Sequence, residues 1–151
     1  MPPPPATPPA TACPRPGLVE VLHIDDNEGD LQLVHMAFAE CCETVTCRDM
    51  ADPRAAMEYL AQCAKASAPP PSIVVLDLNM PGVNGQEVLA FIRGKDALRD
   101  VPVVILSSSS LASEAAECMR LGAKEVVIKP LTFDALVVVA RRVFNRIPEP
   151  G

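Results

Sequence analysis

Ile73-Val74-Val75-Leu76-Asp77 is a short run of aliphatic residues that stops on a carboxylate. Four apolar residues in a row leave no polar face, so a strand built from them must be covered on both sides. The pattern returns in Val103-Val104-Ile105-Leu106, which stops at Ser107, and in Val126-Val127-Ile128, which stops at Lys129. Residues 18–24 read as a further strand, stopping at Asp25-Asp26, and residues 45–47 as a short one.

Helical patterns lie between these runs. Residues 29–40 carry Leu31, Val34, Ala37 and Phe38 at helical spacing. Asp52-Pro53 suits a helix start, with Asp as N-cap and Pro at the first position, and the helix runs to about residue 64. A Pro-rich loop is expected over residues 66–72. Residues 86–93 and 112–121 are the next helices, and Gly122 suits the C-terminal cap of the second. The last is expected over residues 132–146, capped by Thr132, with Arg141, Arg142 and Arg146 late in it, where they favour the helix dipole. Strand then helix, five times over, with apolar strands, predicts an α/β three-layer sandwich around a five-stranded parallel sheet.

Composition agrees with one domain. The chain has 151 residues, enough to bury a real core, and is 49% hydrophobic but only 3% aromatic, so that core is aliphatic. Residues 1–17 hold eight of the 17 prolines without hydrophobic periodicity and read as a disordered tail. The folded domain is expected over residues 18–147, followed by a short C-terminal tail at 148–151. Thirteen basic against 19 acidic residues give a net charge of -6, which argues against a nucleic-acid partner. No apolar run approaches the roughly 20 residues that span a bilayer, and no secretory signal is visible. The six cysteines include no C-x-x-C pair and read as free thiols in a reducing cytoplasm. Cys and His do not cluster at ligand spacing along the chain, which speaks against zinc. His23 and His35 read as structural or surface residues.

In an open parallel sheet, ligands bind at the carboxyl ends of the strands. Four strand ends therefore deliver Asp25, Asp26, Asp77, Ser107 and Lys129 to one place. Clustered carboxylates repel one another unless a cation neutralises them, and hard oxygen ligands favour Mg²⁺ or Mn²⁺. An ammonium and a hydroxyl in the same pocket suit phosphoryl oxygens. A carboxylate can itself be the nucleophile that forms an aspartyl-phosphate. The set points to an aspartate that accepts a phosphoryl group.

At these residues the chain resembles the receiver domain of bacterial two-component response regulators. The matching pieces are His23-Ile24-Asp25-Asp26-Asn27, the run from Ile73 through Asp77, Asn79, Pro81 and Gly82 to Gly85, then Val103 to Ser107, and Val127-Ile128-Lys129-Pro130. The intervals agree too, with 30 positions from Asp77 to Ser107 and 22 from Ser107 to Lys129. The resemblance implies a flavodoxin-like (βα)5 fold and a cytoplasmic phosphoprotein that receives its phosphoryl group from a sensor histidine kinase. It makes Asp77 the acceptor, Asp26 a direct Mg²⁺ ligand, Asp25 a ligand acting through water, and the Asn79 backbone carbonyl a further metal oxygen. Ser107 becomes the switch hydroxyl and Lys129 the partner of the phosphoryl group, with a cis Lys129-Pro130 bond. Pro81, Gly82 and Gly85 shape the loop after Asp77. The 51 positions from Asp26 to Asp77, and the long stretch over residues 94–101, resemble stand-alone receivers found beside bacteriophytochromes.

One position departs from the family. Many receivers carry Tyr or Phe three residues before the lysine; here Val126 stands there. No output domain is expected after Ile147, so the output is another protein, a further phosphorelay step, or a homodimer through the fourth helix and fifth strand. No separate substrate turnover is expected. An Asp-based phosphatase of the haloacid dehalogenase type would need Asp-x-Asp, and Asn79 replaces the second Asp. A flavodoxin-like cofactor binder would need a phosphate-cradling loop after the first strand, where the residues are acidic. The remaining alternative is a pseudo-receiver that signals without phosphorylation.

Overall fold

The computed structural model describes residues 19–41, 45–65 and 69–145. The expected tails, Cys13, Cys42, Arg146 and Ile147 lie outside them. The strands are β1 (Val19–Ile24), β2 (Val45–Met50), β3 (Ile73–Asp77), β4 (Val103–Ser107) and β5 (Glu125–Ile128). The helices are α1 (Glu28–Cys41), α2 (Pro53–Lys65), α3 (Gly85–Arg93), α4 (Ala112–Arg120) and α5 (Phe133–Phe144). All strand pairs are parallel, and the sheet order is β2-β1-β3-β4-β5. This is the three-layer α/β sandwich that the apolar runs predict.

Alternation along the strands separates two cores. Val19 and Val21, Ile73 and Val75, and Val104 and Leu106 face one side, where α1 and α5 cover them with Val34, Phe38, Leu136 and Val143. Leu22 and Ile24, Val74 and Leu76, and Val103 and Ile105 face the other, against Leu60 of α2, Val88, Leu89 and Ile92 of α3, and Cys118 of α4. Every residue of β3 and β4 is buried, as strands covered on both faces require.

Two elements differ from expectation. β2 runs three residues further than its apolar part, because Leu22, His23 and Ile24 pair with Arg48, Asp49 and Met50. It is an edge strand, so its outer half tolerates polar side chains. A 3-10 turn, Asp96–Leu98, sits in the long stretch before β4 and buries Leu98 completely. Arg93 fastens this region: its guanidinium donates to the carbonyls of Gly122, Arg99 and Val101 at 2.9–3.1 Å.

Thr132 caps α5 as expected, its hydroxyl accepting from the Ala135 amide. Asn84 caps α3 in a capping box with Glu87. Gly122 takes a φ of 108° just past α4, where a residue with a Cβ would be strained.

Candidate functional site

β1, β3 and β4 stop at one level of the sheet, so their terminal polar residues face a common pocket. The order places β1 and β3 side by side although they are not consecutive, which is where such sheets open a crevice. Asp25 is fully buried, Asp77 is 3% exposed and Ser107 1%, whereas Asp26 is exposed. Oxygens of Asp25, Asp26 and Asp77 lie within 4.8 Å of one another. The Lys129 ammonium reaches in from the end of β5, 3.0 Å from Asp25 Oδ2 and 3.4 Å from Asp77 Oδ1.

Its shortest contact is one that strand-end reasoning did not find. Asp30, in the first turn of α1, accepts from Lys129 Nζ at 2.8 Å. The signal in the sequence is a third aspartate one helical turn after Asp26, which also reads as an ordinary N-terminal acid favouring the dipole. Burial alone would lower the Lys129 pKa. Hydrogen bonds to Asp30 and Asp25 outweigh it and hold the ammonium above its usual range.

Asp77 moves the other way. Burial first, and the Asp25 carboxylate second, push it up to about 6, although Lys129 pulls against them. Backbone geometry fixes its position. Asp77 Oδ1 accepts from the Asn79 amide at 3.3 Å, and the Leu78 amide donates to the Leu106 carbonyl. At Gly85 a Cβ would stand 2.6 Å from the Asp77 carbonyl oxygen and 2.8 Å from Leu78 Cα, so the start of α3 packs directly on the loop after β3.

Ser107 does not bond to Asp77 here. Its hydroxyl donates to the Ser109 carbonyl at 3.1 Å and accepts from the Ser109 amide at 3.0 Å, a closed ring within the loop. The Asn79 side chain approaches Ser108 Oγ at 3.5 Å. No peptide bond is cis among the described residues, so Lys129-Pro130 is trans, contrary to the isomer the resemblance implies. Trans is the intrinsically favoured isomer, and in it Lys129 already reaches its three carboxylates.

His23 precedes Asp25 on β1 and is fully buried with neither ring nitrogen hydrogen-bonded. Its Nε2 is 4.0 Å from Asp25 Oδ2, beyond hydrogen-bond range. Burial lowers its pKa to about 4, so it is a neutral core residue at pH 7. His35 is exposed and pairs with Asp49 at 2.9 Å.

Residues 21–141 match the response regulator receiver domain family. The chain belongs to that family. It is 30% identical over 137 residues to the probable methanogenesis regulatory protein FilR2 of Methanothrix harundinacea, an alignment covering 87% of this chain and 88% of that protein. Some longer plant response regulators are matched over only about half their length, 51% for one from rice. Among solved structures, the phosphorylated cyanobacterial phytochrome response regulator RcpA superposes with a TM-score of 0.77 at 27% identity, covering 87% of this chain and 94% of that one. The Mn²⁺-bound form of response regulator Rcp1 gives 0.75 at 25% identity, covering 87% and 99%. The receiver fold and its place in two-component signalling thus agree with the sequence motifs. Among the described residues no helix is long and apolar enough to cross a membrane.

Proposed function

We propose that this receiver is a phosphorylation-controlled signalling module in which Asp77 accepts a phosphoryl group from a sensor histidine kinase. The observation that carries the reading is the convergence of Asp25, Asp26, Asp77 and Lys129 on one pocket. A carboxylate oxygen of Asp77 attacks phosphorus as the bond to the donor breaks, leaving an aspartyl-phosphate. Lys129 follows the new negative charge, exchanging carboxylate partners for phosphoryl oxygens. Ser107 leaves its ring with Ser109 and donates to the same group.

The donor set fits a hard divalent cation, because three carboxylate oxygens lie within one coordination sphere of each other and a single lysine offsets only part of their charge. Asp25, Asp26, Asp77 and the Asn79 backbone carbonyl are the residues that would hold Mg²⁺. Bound there, Mg²⁺ neutralises these carboxylates and the developing charge on the phosphoryl oxygens. Asp26 is the exposed member and the one without Lys129 as a partner, which supports direct coordination by it.

Output through protein contact is supported by exposed apolar side chains on and beside α4 and β5: Leu111, Met119, Ile128 and Leu131. A homodimer through this face is one such contact. Val126 is half-buried against the α2–α3 side of the core and has no ring to swing, so the loop after Ser107 carries the change.

The test is intact-protein mass after incubation with acetyl phosphate and Mg²⁺. One phosphoryl adduct is expected on wild type, none on Asp77→Asn, and none when the metal is chelated. A wild type that binds Mg²⁺ yet takes no adduct from acetyl phosphate or from phosphorylated kinases would leave the pseudo-receiver reading in its place.

A further inference from the structure

Sequence spacing argues against a transition-metal site, since His35, Cys47 and Asp49 lie 12 and 14 positions apart from the histidine outward. Folding removes that separation. α1 packs against the edge strand β2, and Cys47 and Asp49, two apart on that strand, project from the same side toward it. Arg48 between them points the other way, to Glu20 and over the Tyr59 ring. His35 comes from the third turn of α1.

The resulting cluster mixes donor types. His35 Nδ1 is 2.9 Å from Asp49 Oδ2, and the Cys47 thiol donates to Asp49 Oδ1 at 3.3 Å. One ligand atom from each residue lies within 4.8 Å of the others. In a tetrahedral zinc site, with bonds of about 2.0–2.3 Å, ligand atoms stand roughly 3.3–3.7 Å apart. The three side chains are therefore spaced so that a closing of about 1 Å or less among their ligand atoms would let them share a cation. Imidazole, thiolate and carboxylate together suit Zn²⁺ and do not suit Mg²⁺, which takes oxygen ligands.

We propose that His35, Cys47 and Asp49 form a Zn²⁺ site separate from the Asp25-Asp26-Asp77 pocket. Binding replaces the two hydrogen bonds to Asp49 by metal bonds. The imidazole takes the tautomer with its proton on Nε2 and gives its Nδ1 lone pair, and the thiol gives up its proton to solvent and coordinates as thiolate. The dication is then balanced by one thiolate and one carboxylate. His35 and Asp49 also line a surface hollow of about 580 Å³ beside Glu28 and Gln32, from which water or an external ligand would fill the fourth position.

The experiment titrates the full chain with Zn²⁺ against a chromophoric chelator, with Mg²⁺ saturating throughout, and records the Co²⁺ spectrum. One equivalent of Zn²⁺ is expected, with proton release and a near-ultraviolet thiolate-to-Co²⁺ band. Cys47→Ser should abolish the band. His35→Gln and Asp49→Asn should each weaken Zn²⁺ binding by about tenfold or more. These three residues are partly or fully exposed, and circular dichroism of each variant verifies the fold. Absence of Zn²⁺ binding in wild type would overturn the proposal. So would a band that survives Cys47→Ser, because another cysteine would then hold the metal. Asp77→Asn should leave Zn²⁺ binding unchanged, so the outcome is independent of phosphorylation.

Discussion

At Lys129 one ammonium meets three carboxylates, and the shortest of the contacts, 2.8 Å, is to Asp30. A lysine that must follow a phosphoryl group has to leave some of these partners. Asp30→Asn weakens the outermost hold without touching Asp25 or Asp77. It should speed adduct formation from acetyl phosphate several-fold, on the order of 1 kcal/mol in the barrier. An unchanged or slower rate would show that Asp30 does not restrain Lys129. The residues at strand ends were legible in the sequence because an apolar run makes its own end visible. Asp30 was not, since a helix-start acid has an ordinary explanation in the dipole.

Two further side chains set opposing pH slopes. Asp77 has its pKa raised from 3.8 to about 6, so it binds its proton more tightly folded than unfolded. Without metal, its contribution to stability is greatest below about pH 4 and is lost as pH rises to about 6. His23 has its pKa lowered from 6.5 to about 4. The unfolded chain takes up that proton first, so this contribution is full above pH 6.5 and is lost as pH falls toward 4. The slopes oppose each other across nearly the same window. Metal-free wild type should therefore show a shallow dependence between pH 4 and 6.5. Asp77→Asn should lose on the order of 2–3 kcal/mol over that fall in pH, measured by urea denaturation. A variant as flat as wild type would mean that His23 is not held neutral.

Among the elements, the turn between β3 and α3 is the most constrained. Gly85 touches backbone on both sides of the Asp77–Leu78 peptide, so an added methyl group has no flexible neighbour to displace. Gly85→Ala should cost about 1–3 kcal/mol in denaturant unfolding and slow phosphorylation by shifting Asp77. Full stability with a normal rate would show that the turn can relax. β3, β4 and the caps at Thr132 and Gly122 were readable because an apolar run, a capping hydroxyl and a glycine act locally. The second half of β2 was not, because its residues are polar and pair only through the backbone of β1. The 3-10 turn was hidden likewise: Leu98 is buried by tertiary packing, with no periodic neighbour to announce it. The isomer at Lys129-Pro130 came from family resemblance, and no local rule read from the chain determines it.

For the whole molecule, two aliphatic cores on either side of one sheet hold the ends of β1, β3, β4 and β5 in register, and that register assembles the site. The alternation of strands and helices required only that the strands be parallel; their order, with β1 beside β3, is set by tertiary packing. Bringing His35 to Cys47 and Asp49 is likewise a consequence of the α1–β2 packing, invisible in linear spacing. At this scale the exposed apolar residues of α4 and β5 make a prediction. Phosphorylated protein should self-associate or bind its partner more tightly than unphosphorylated protein in sedimentation, and Met119→Glu should reduce the difference. Identical sedimentation of wild type in both states, with and without a candidate partner, would remove this face from the output.

In the proposed function, the convergence of strand ends makes Asp77, and no other carboxylate in the pocket, the acceptor. Borohydride reduction of protein freshly treated with acetyl phosphate and Mg²⁺ converts an acyl-phosphate to the corresponding alcohol, which peptide mass mapping can locate. Reduction at position 77 alone is the predicted result. A reduced residue at 25, 26 or 30 instead, or a phosphoryl adduct that resists reduction, would contradict the account.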